Sequence, residues 1–234
     1  MLDGFMELEA LPKGLRKLIS LCHLEFSIKQ TLLPVNEIAN LSSLEILTVE
    51  SSPNLESIFG GVKFPVLKVL NVSDFQSLKF FRLDGKNFPE LETLIVDACH
   101  NLDLEMWKGN HHEEQMPKLK LKLLGFSSLS QLVVLPKWLQ EVANSLQHLL
   151  ISNCYNIETL PDWLTTLTHL KTLSIKNLVS LSDNIHHLSA LETLIIRGCP
   201  NLCEKYEPHV GQFWPEISHI KDISIGALEE SEKN

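Results

Sequence analysis

Aliphatic residues recur along almost the whole chain in a frame of twelve positions, Leu-x-x-Leu-x-Leu-x-x-Asn/Cys-x-x-Leu. The second leucine of the frame, position 4, falls at Leu24, Leu47, Leu70, Leu94, Leu121, Leu149, Leu173, Leu194 and Ile223. These residues follow one another at spacings of 21 to 29 residues. A period of roughly 20 to 29 residues built on this frame is typical of the leucine-rich repeat. The pattern therefore predicts about nine repeats.

Positions 4 and 6 of each repeat predict one short β-strand. Position 6 is mostly β-branched, reading Phe26, Val49, Val72, Val96, Leu123, Ile151, Ile175, Ile196 and Ile225. Because side chains alternate across a strand, positions 4 and 6 point into a core while positions 3, 5 and 7 point away. We therefore predict an α/β leucine-rich-repeat solenoid, a horseshoe with a parallel β-sheet on its concave face and irregular or short-helical crossings on the convex side.

The repeat frame also sets the expected domain organisation. Residues 15–226 form the predicted leucine-rich-repeat domain, residues 1–14 are an N-terminal flank, and residues 227–234 are a short acidic tail that we expect to fray. Two crossings match each other, with Trp138 and Trp163 each two residues after a Leu-Pro pair. Proline suits the start of a helical turn, so we expect these tryptophans to pack within the crossings rather than act as binding hot spots.

Charge and composition exclude several classes of protein. Acidic residues outnumber basic ones by 29 to 20, which lacks the basic surplus of a nucleic-acid-binding surface. No apolar stretch approaches the roughly 20 residues that span a bilayer, so we expect no membrane contact. Five cysteines, an odd number without framework spacing, and an acidic N-terminus unlike a signal peptide favour the reducing cytoplasm.

Candidate chemical groups do not assemble into a catalytic or metal site. Cys99, Cys154 and Cys199 occupy position 9, where a small side chain hydrogen bonds the backbone as the chain leaves the strand. Cys199 and Cys203 offer a Cys-x-x-x-Cys pair, but a zinc site needs four convergent ligands and no second pair exists. His111 and His112 fall in a polar connecting segment, and no nucleophile motif is present. We predict no enzyme, metal or cofactor.

Positions 3, 5 and 7 are the candidate binding surface, because strands aligned side by side present them as parallel columns on the concave face. Position 5 carries exposed apolar residues, and position 7 is acidic in the first half of the chain and basic in the second. Such a broad open sheet suits a protein partner better than a small molecule. The predicted partner-binding residues are Glu25, Thr48, Glu50, Asn71, Ile95, Asp97, Lys122, His148, Leu150, Ser174, Lys176, Ile195 and Arg197.

Two segments resemble a known protein family. Leu-Pro-Asp-Trp-Leu at 160–164 precedes Leu-Thr-His-Leu-Lys-Thr-Leu-Ser-Ile at 167–175, and Gly-Cys-Pro-Asn-Leu at 198–202 precedes Trp-Pro-Glu-Ile-Ser-His-Ile at 214–220. Residues 15–226 thereby resemble the C-terminal leucine-rich-repeat region of plant intracellular disease-resistance receptors with coiled-coil and nucleotide-binding domains.

The resemblance implies a sensor and autoinhibitory role in defence. Its implied partners are a pathogen effector, a guarded host protein, or a nucleotide-binding domain that this chain lacks, since no GxxxxGK[ST] loop is present. A stand-alone leucine-rich-repeat scaffold or adaptor in intracellular signalling is the alternative. The two readings share a non-catalytic protein-binding surface.

Overall fold

The computed structural model describes residues 8–81, 83–104, 118–178 and 184–228. The chain divides into two compact units, Met1–Leu121 and Lys122–Asn234. In each unit one repeat contributes one strand to a main sheet, and strands of consecutive repeats pair in parallel. Each unit is therefore a leucine-rich-repeat solenoid, as the frame predicts. The polar segment containing His111 and His112, and most of the acidic tail, lie outside the described residues.

The first unit contains a four-stranded main sheet and a small second sheet. The main strands, in spatial order, are β1 (His23–Phe26), β2 (Ile46–Glu50), β4 (Val69–Phe75) and β6 (Thr93–Cys99). The second sheet pairs β3 (Ser57–Ile58) with β5 (Phe80–Phe81). A 3₁₀ turn at Leu15–Lys17 and the helix α1 (Val35–Ile38) occupy crossings. Position 4 aligns with position 4 in every pair of main strands.

The second unit has a five-stranded parallel sheet. Its strands, in order, are β7 (Leu123–Ser127), β8 (His148–Ser152), β9 (Thr172–Lys176), β10 (Thr193–Arg197) and β11 (Asp222–Gly226). The crossings contain 3₁₀ segments at Lys137–Val142, Asp162–Thr166 and Asn184–His187, with helices α2 (Pro200–Lys205) and α3 (Trp214–Ile217). Extended Pro136 and Pro161 lead into two of these 3₁₀ segments, where Trp138 is buried as predicted and Trp163 is half-buried.

The core consists of the frame positions of successive repeats stacked on one another. Leu47 and Leu70 at position 4, with Val49 and Val72 at position 6, are fully buried. Truncating such a leucine to alanine costs about 2–5 kcal/mol, since it loses transfer energy and leaves a cavity. The frame did not predict a second element of the first-unit core, where the ring of Phe59 makes edge contacts with Phe64, Phe81 and Phe88.

The predicted frame of the fifth repeat is wrong by three residues. The register pairs Leu124 with Leu149 and Phe126 with Ile151, so Leu124 and not Leu121 occupies position 4. Lys122 then falls at position 2, exposed and one residue before β7. The segment from 119 to 124 supplies leucines in two phases, and the structure selects the phase that buries Leu121, Leu124 and Phe126 together.

The first repeat also departs from its predicted frame. Leu32, assigned to the apolar position 12, is 64% exposed. Ile28 is instead fully buried and forms an isolated parallel bridge with Leu8. This repeat therefore buries Ile28, beside the strand, in place of Leu32.

Position 2 carries a row of opposite charges that accompanies the register. Lys68 Nζ lies 2.9 Å from Glu45 Oε2 in the first unit, and Lys171 Nζ lies 3.2 Å from Glu192 Oε1 in the second. Hydrogen bonding and charge from Glu45 raise the pKa of Lys68. Aligned strands place these charged side chains of successive repeats next to one another. A slip of the register would therefore separate the ions and also turn the apolar positions outward.

The chain leaves each strand through a left-handed residue at position 8. Seven consecutive repeats place φ between 43° and 63° there, at Ser51, Asp74, Ala98, Ser128, Asn153, Asn177 and Gly198. Asparagine, aspartate and glycine tolerate this region best, which explains most of the column. The backbone N–H of Asn153 donates to the Lys176 carbonyl at 3.1 Å, continuing the ladder past the end of the strand.

Side chains at positions 9 and 11 satisfy backbone groups where the chain turns. The hydroxyl of Ser52 accepts from the Ile28 N–H at 2.9 Å, and the Cys199 thiol accepts from the Leu178 N–H at 3.3 Å. The thiol of Cys99 donates to the Asp97 carbonyl at 3.2 Å. At position 11, three asparagines each donate to a carbonyl of the preceding repeat, namely Asn54, Asn101 and Asn156. The predicted structural role of position 9 is therefore confirmed for Cys99 and Cys199.

Ala98 is the residue of the position 8 column least suited to its conformation, with φ at 48° and no side chain to hydrogen bond locally. We expect Ala98→Gly to stabilise the protein by about 0.5–1 kcal/mol, because relief of left-handed strain exceeds the entropy that glycine adds to the unfolded chain. Urea denaturation measures this change. Ala39→Gly is the matched control, because Ala39 is right-handed, and it should lose stability. An equal loss of stability in both variants would contradict the left-handed strain assigned to Ala98.

Candidate binding surface

The open face of the first unit comprises the side chains at positions 3, 5 and 7 of its four main strands. They are His23, Glu25, Ser27, Ile46, Thr48, Glu50, Val69, Asn71, Ser73, Thr93, Ile95 and Asp97. The alternating burial of β2, β4 and β6 places them opposite the buried positions 4 and 6. All except Ser27 retain some solvent exposure. The strand register arranges them in three rows, one for each position.

These three rows differ in chemistry. The position 3 row has Ile46 and Val69 at its centre, so the face is apolar toward the start of the strands. The position 5 row is largely polar, and the Asn71 amide donates to the Thr48 hydroxyl across β4 and β2 at 3.2 Å. The position 7 row reads Ser27, Glu50, Ser73 and Asp97, so it is acidic toward the end of the strands.

Two carboxyl groups of the first face, those of Glu25 and Glu50, interact with each other. Burial first, then the charge of Glu25 and a hydrogen bond with Glu25, raise the pKa of Glu50, and the charge of Asp74 adds to this. His23 Nε2 lies 3.9 Å from Glu25 Oε2. Further along the position 7 row, Asp97 Oδ1 is shielded from solvent and has no hydrogen-bond partner within the described residues. The acidic end of this face therefore carries electrostatic strain.

The open face of the second unit comprises positions 3, 5 and 7 of β7 to β11. They are Leu123, Gly125, Ser127, His148, Leu150, Ser152, Thr172, Ser174, Lys176, Thr193, Ile195, Arg197, Asp222, Ser224 and Gly226. In the position 5 row, Leu150, Ser174 and Ile195 align, and Ser174 is only 6% exposed. Leu150 and Ile195, on either side of Ser174, are partly exposed.

Arg197 has a structural role on this face. Its Nη2 donates to the Ser224 hydroxyl at 2.6 Å, Nε donates to the same oxygen at 3.0 Å, and Nη1 donates to the Ala227 carbonyl at 3.1 Å. These bonds connect β10 to β11 and to the chain beyond it. Lys176 lies beside Arg197 in the position 7 row. The basic end of this row therefore stabilises the last strand as well as setting the charge of the face.

The structure places most of the predicted binding residues on the two faces. Glu25, Thr48, Glu50, Asn71, Ile95 and Asp97 lie on the first, and His148, Leu150, Ser174, Lys176, Ile195 and Arg197 on the second. Lys122 does not belong to either face, because it precedes β7, and Gly125 takes its place at position 5. The list of predicted residues omits Ile46 and Val69, although they occupy position 3 of the frame, and it omits Leu123, which the predicted frame of the fifth repeat places at position 6.

The part of the chain that the structure describes brings no cluster of metal-binding side chains together. Among the described residues, no group of three His, Cys, Asp or Glu side chains is placed to hold a metal ion. The five cysteines are not in disulfides, and burial raises the pKa of the Cys99 thiol to about 12. Within the described ranges, no helix has the length and apolar content needed to cross a bilayer.

The raised pKa of Glu50 predicts a pH-dependent stability effect. A carboxyl whose pKa is raised on folding binds protons more tightly when native, so the wild type loses stability as pH rises from about 4.5 through the native pKa. Glu50→Gln removes the charge and keeps a donor for Glu25. We expect this variant to be more stable than wild type at pH 7, with a difference that shrinks toward pH 4. Urea denaturation across that range measures it.

The control for this prediction is Glu56→Gln, because Glu56 is exposed and lies outside the main strands. This substitution should change stability little at either pH. A Glu50→Gln variant that is less stable than wild type at pH 7 would contradict the unfavourable burial and repulsion assigned to Glu50.

Comparison with known proteins identifies the fold. No protein-family model matches the sequence, and no curated protein matches it either. Among solved structures, the chain is similar to the leucine-rich repeat domain of the type III effector XopL, with a TM-score of 0.60 and 19% sequence identity. The alignment covers 94% of this chain and 73% of that chain. The protein therefore has the leucine-rich-repeat fold.

Proposed function

We propose that the chain is a non-catalytic protein-recognition module that binds through its open sheet faces. The observation that carries this proposal is the set of aliphatic side chains left accessible on both faces, namely Ile46, Val69 and Ile95 on the first and Leu123, Leu150 and Ile195 on the second. The buried core is complete without them, since positions 4 and 6 of the same strands fill it. Accessible apolar groups grouped on one surface typically mark an interaction site.

A protein partner suits these faces better than a small molecule. Small-molecule sites enclose most of their ligand in a concave pocket, whereas a sheet face offers broad contact with mixed apolar and charged groups. Interfaces between proteins combine apolar and polar contact groups, and both faces contain side chains of both kinds. Charged residues at position 7 provide orientation and selectivity toward such a partner.

Within this module we place residues 15–226 in the sensor region of a plant intracellular immune receptor. The resemblance of segments 160–175 and 198–220 to that family supports the assignment. The partner is then a pathogen effector, a guarded host protein, or the receptor's nucleotide-binding domain. A cytoplasmic location suits the buried thiols of Cys99 and Cys199, which hydrogen bond backbone groups in their reduced form.

A stand-alone scaffold or adaptor is the second candidate. The spacing of Leu24, Leu47, Leu70 and Leu94 favours it, because the first repeats follow one another at nearly constant intervals. Beyond Leu94 the intervals become uneven. This remains so when Leu124, and not Leu121, is taken as position 4 of the fifth repeat. This irregularity fits the receptor assignment better.

The binding role of the faces is tested with paired charge insertions. We expect Ile95→Asp with Leu150→Asp to abolish retention of a partner from plant tissue extract on the immobilised protein, because each aspartate would be desolvated in the interface. Val133→Asp with Val134→Asp is the matched control, since these two side chains are half-exposed in a crossing. Circular dichroism verifies folding of both variants, and mass spectrometry compares the retained proteins.

Loss of retention in the face variant alone supports the proposal. Equal retention by wild type and both variants would show that the bound proteins do not use the sheet faces. Loss in the crossing variant alone would place the binding surface on the opposite side of the repeats.

The receptor assignment makes a separate prediction about the gene. We expect the genomic sequence upstream of the codon for Met1 to contain an in-frame GxxxxGK[ST] motif, because a receptor of this family binds a nucleotide through that loop. Sequencing the transcript and the genomic DNA tests this. In-frame stop codons immediately upstream would favour the scaffold or adaptor.

A further inference from the structure

The open face of the first unit has an uncompensated charge. Its three rows contain the carboxylates of Glu25, Glu50 and Asp97 but no lysine or arginine at positions 3, 5 or 7 of β1, β2, β4 and β6. The lysine of the charge row, Lys68, lies at position 2 and bonds Glu45. The one basic ring at these positions belongs to His23, at one end of the position 3 row.

Two acidic residues of the position 7 row lie on either side of a serine. Glu50, Ser73 and Asp97 are register partners on three adjacent strands. Strands lie about 4.8 Å apart, so the two carboxylates are separated by about 10 Å with the small Ser73 side chain between them. A long cationic side chain above Ser73 would approach both carboxylates at once. It would also offset the repulsion from Glu25 that adds to burial in raising the pKa of Glu50.

The apolar groups lie at the other end of the same strands. Ile46 and Val69 occupy position 3, four residues before the acidic row, and Ile95 lies between the two rows at position 5. Four residues of strand correspond to about 13 Å. A partner that covers this face therefore meets an apolar edge and an acidic edge, separated by roughly the width of an α-helix.

We propose that the open face of the first unit binds an amphipathic basic protein segment, with lysine or arginine over the position 7 row and apolar side chains over the position 3 row. This deepens the proposed recognition function and depends on it. Charge complementarity selects this occupant, because cationic side chains gain from Glu50 and Asp97 while acidic ones are repelled. Nucleic acid is repelled by the same carboxylates, and so is a second copy presenting the same face.

The proposal is tested with a labelled peptide of leucine and lysine patterned as an amphipathic helix, LKKLLKLLKKLLKL. Fluorescence anisotropy measures its affinity for the full chain. We expect Glu25→Gln, Glu50→Gln and Asp97→Asn combined to weaken binding about tenfold, because all the carboxylates of the face are removed. The charge-matched control, Glu56→Gln, Glu158→Gln and Glu207→Gln combined, should weaken binding less than twofold, since these residues are exposed and lie outside the main strands.

Equal weakening by the two triple variants would overturn the proposal, because it would show a general response to net charge. Binding of the wild type to a peptide with glutamate in place of lysine would overturn it as well. An additional variant, Val69→Asp, separates the two levels of inference. If Val69→Asp abolishes peptide binding and the acidic triple variant has no effect, the face recognises proteins without selecting basic ones. If neither variant matters, the recognition function of this face fails too.

Discussion

Burial between neighbouring repeats is the constraint on which the rest of this structure depends. One repeat contains a single short strand and a crossing, and it has no second layer of its own against which positions 4 and 6 can pack. Leu47, Leu70 and Leu94 are buried only because each lies beside its counterpart in the adjacent strand. The register is therefore fixed by the core, and everything outside the core inherits that alignment. The charge row at position 2 and the three rows of each open face are consequences of it.

The turn after each strand is the second condition that every repeat must satisfy. Buried backbone groups need partners, and a chain that turns off a parallel sheet interrupts the ladder that supplies them. The left-handed residue at position 8 redirects the chain while its N–H still bonds the next strand. Small polar side chains such as Ser52 and Asn156 then supply the missing bonds to neighbouring repeats. Hence polar residues recur within an otherwise apolar frame, and cysteine serves there through its hydrogen bonds to the backbone.

The sequence predicts those features that are determined by the pattern within a single repeat, and it fails for those that depend on contacts with other segments. Apolar periodicity predicts the parallel strands and the core, because positions 4 and 6 of each repeat pack against the same positions of its neighbours. It fails at Leu121, where neighbouring leucines satisfy the frame in two phases and only the pairing of Leu124 with Leu149 distinguishes them. It also fails at Leu32, because the first repeat buries Ile28, which bridges Leu8, in place of that leucine. The contacts of Phe59 with Phe81 and Phe88 join two different crossings, whose conformation the frame does not specify.

Side chains on the open faces are not constrained by packing between repeats as the core side chains are. Side chains at positions 3, 5 and 7 contribute little to stacking, so their chemistry is free to vary without loss of the fold. On the first face that freedom has produced an arrangement that disfavours the isolated protein, with Glu50 held near Glu25 and Asp97 Oδ1 lacking a partner among the described residues. Polar groups buried without compensation reduce stability. A partner that supplies cations to this row would offset the repulsion between Glu50 and Glu25 on binding, so the same carboxylates that weaken the free protein would favour its complex.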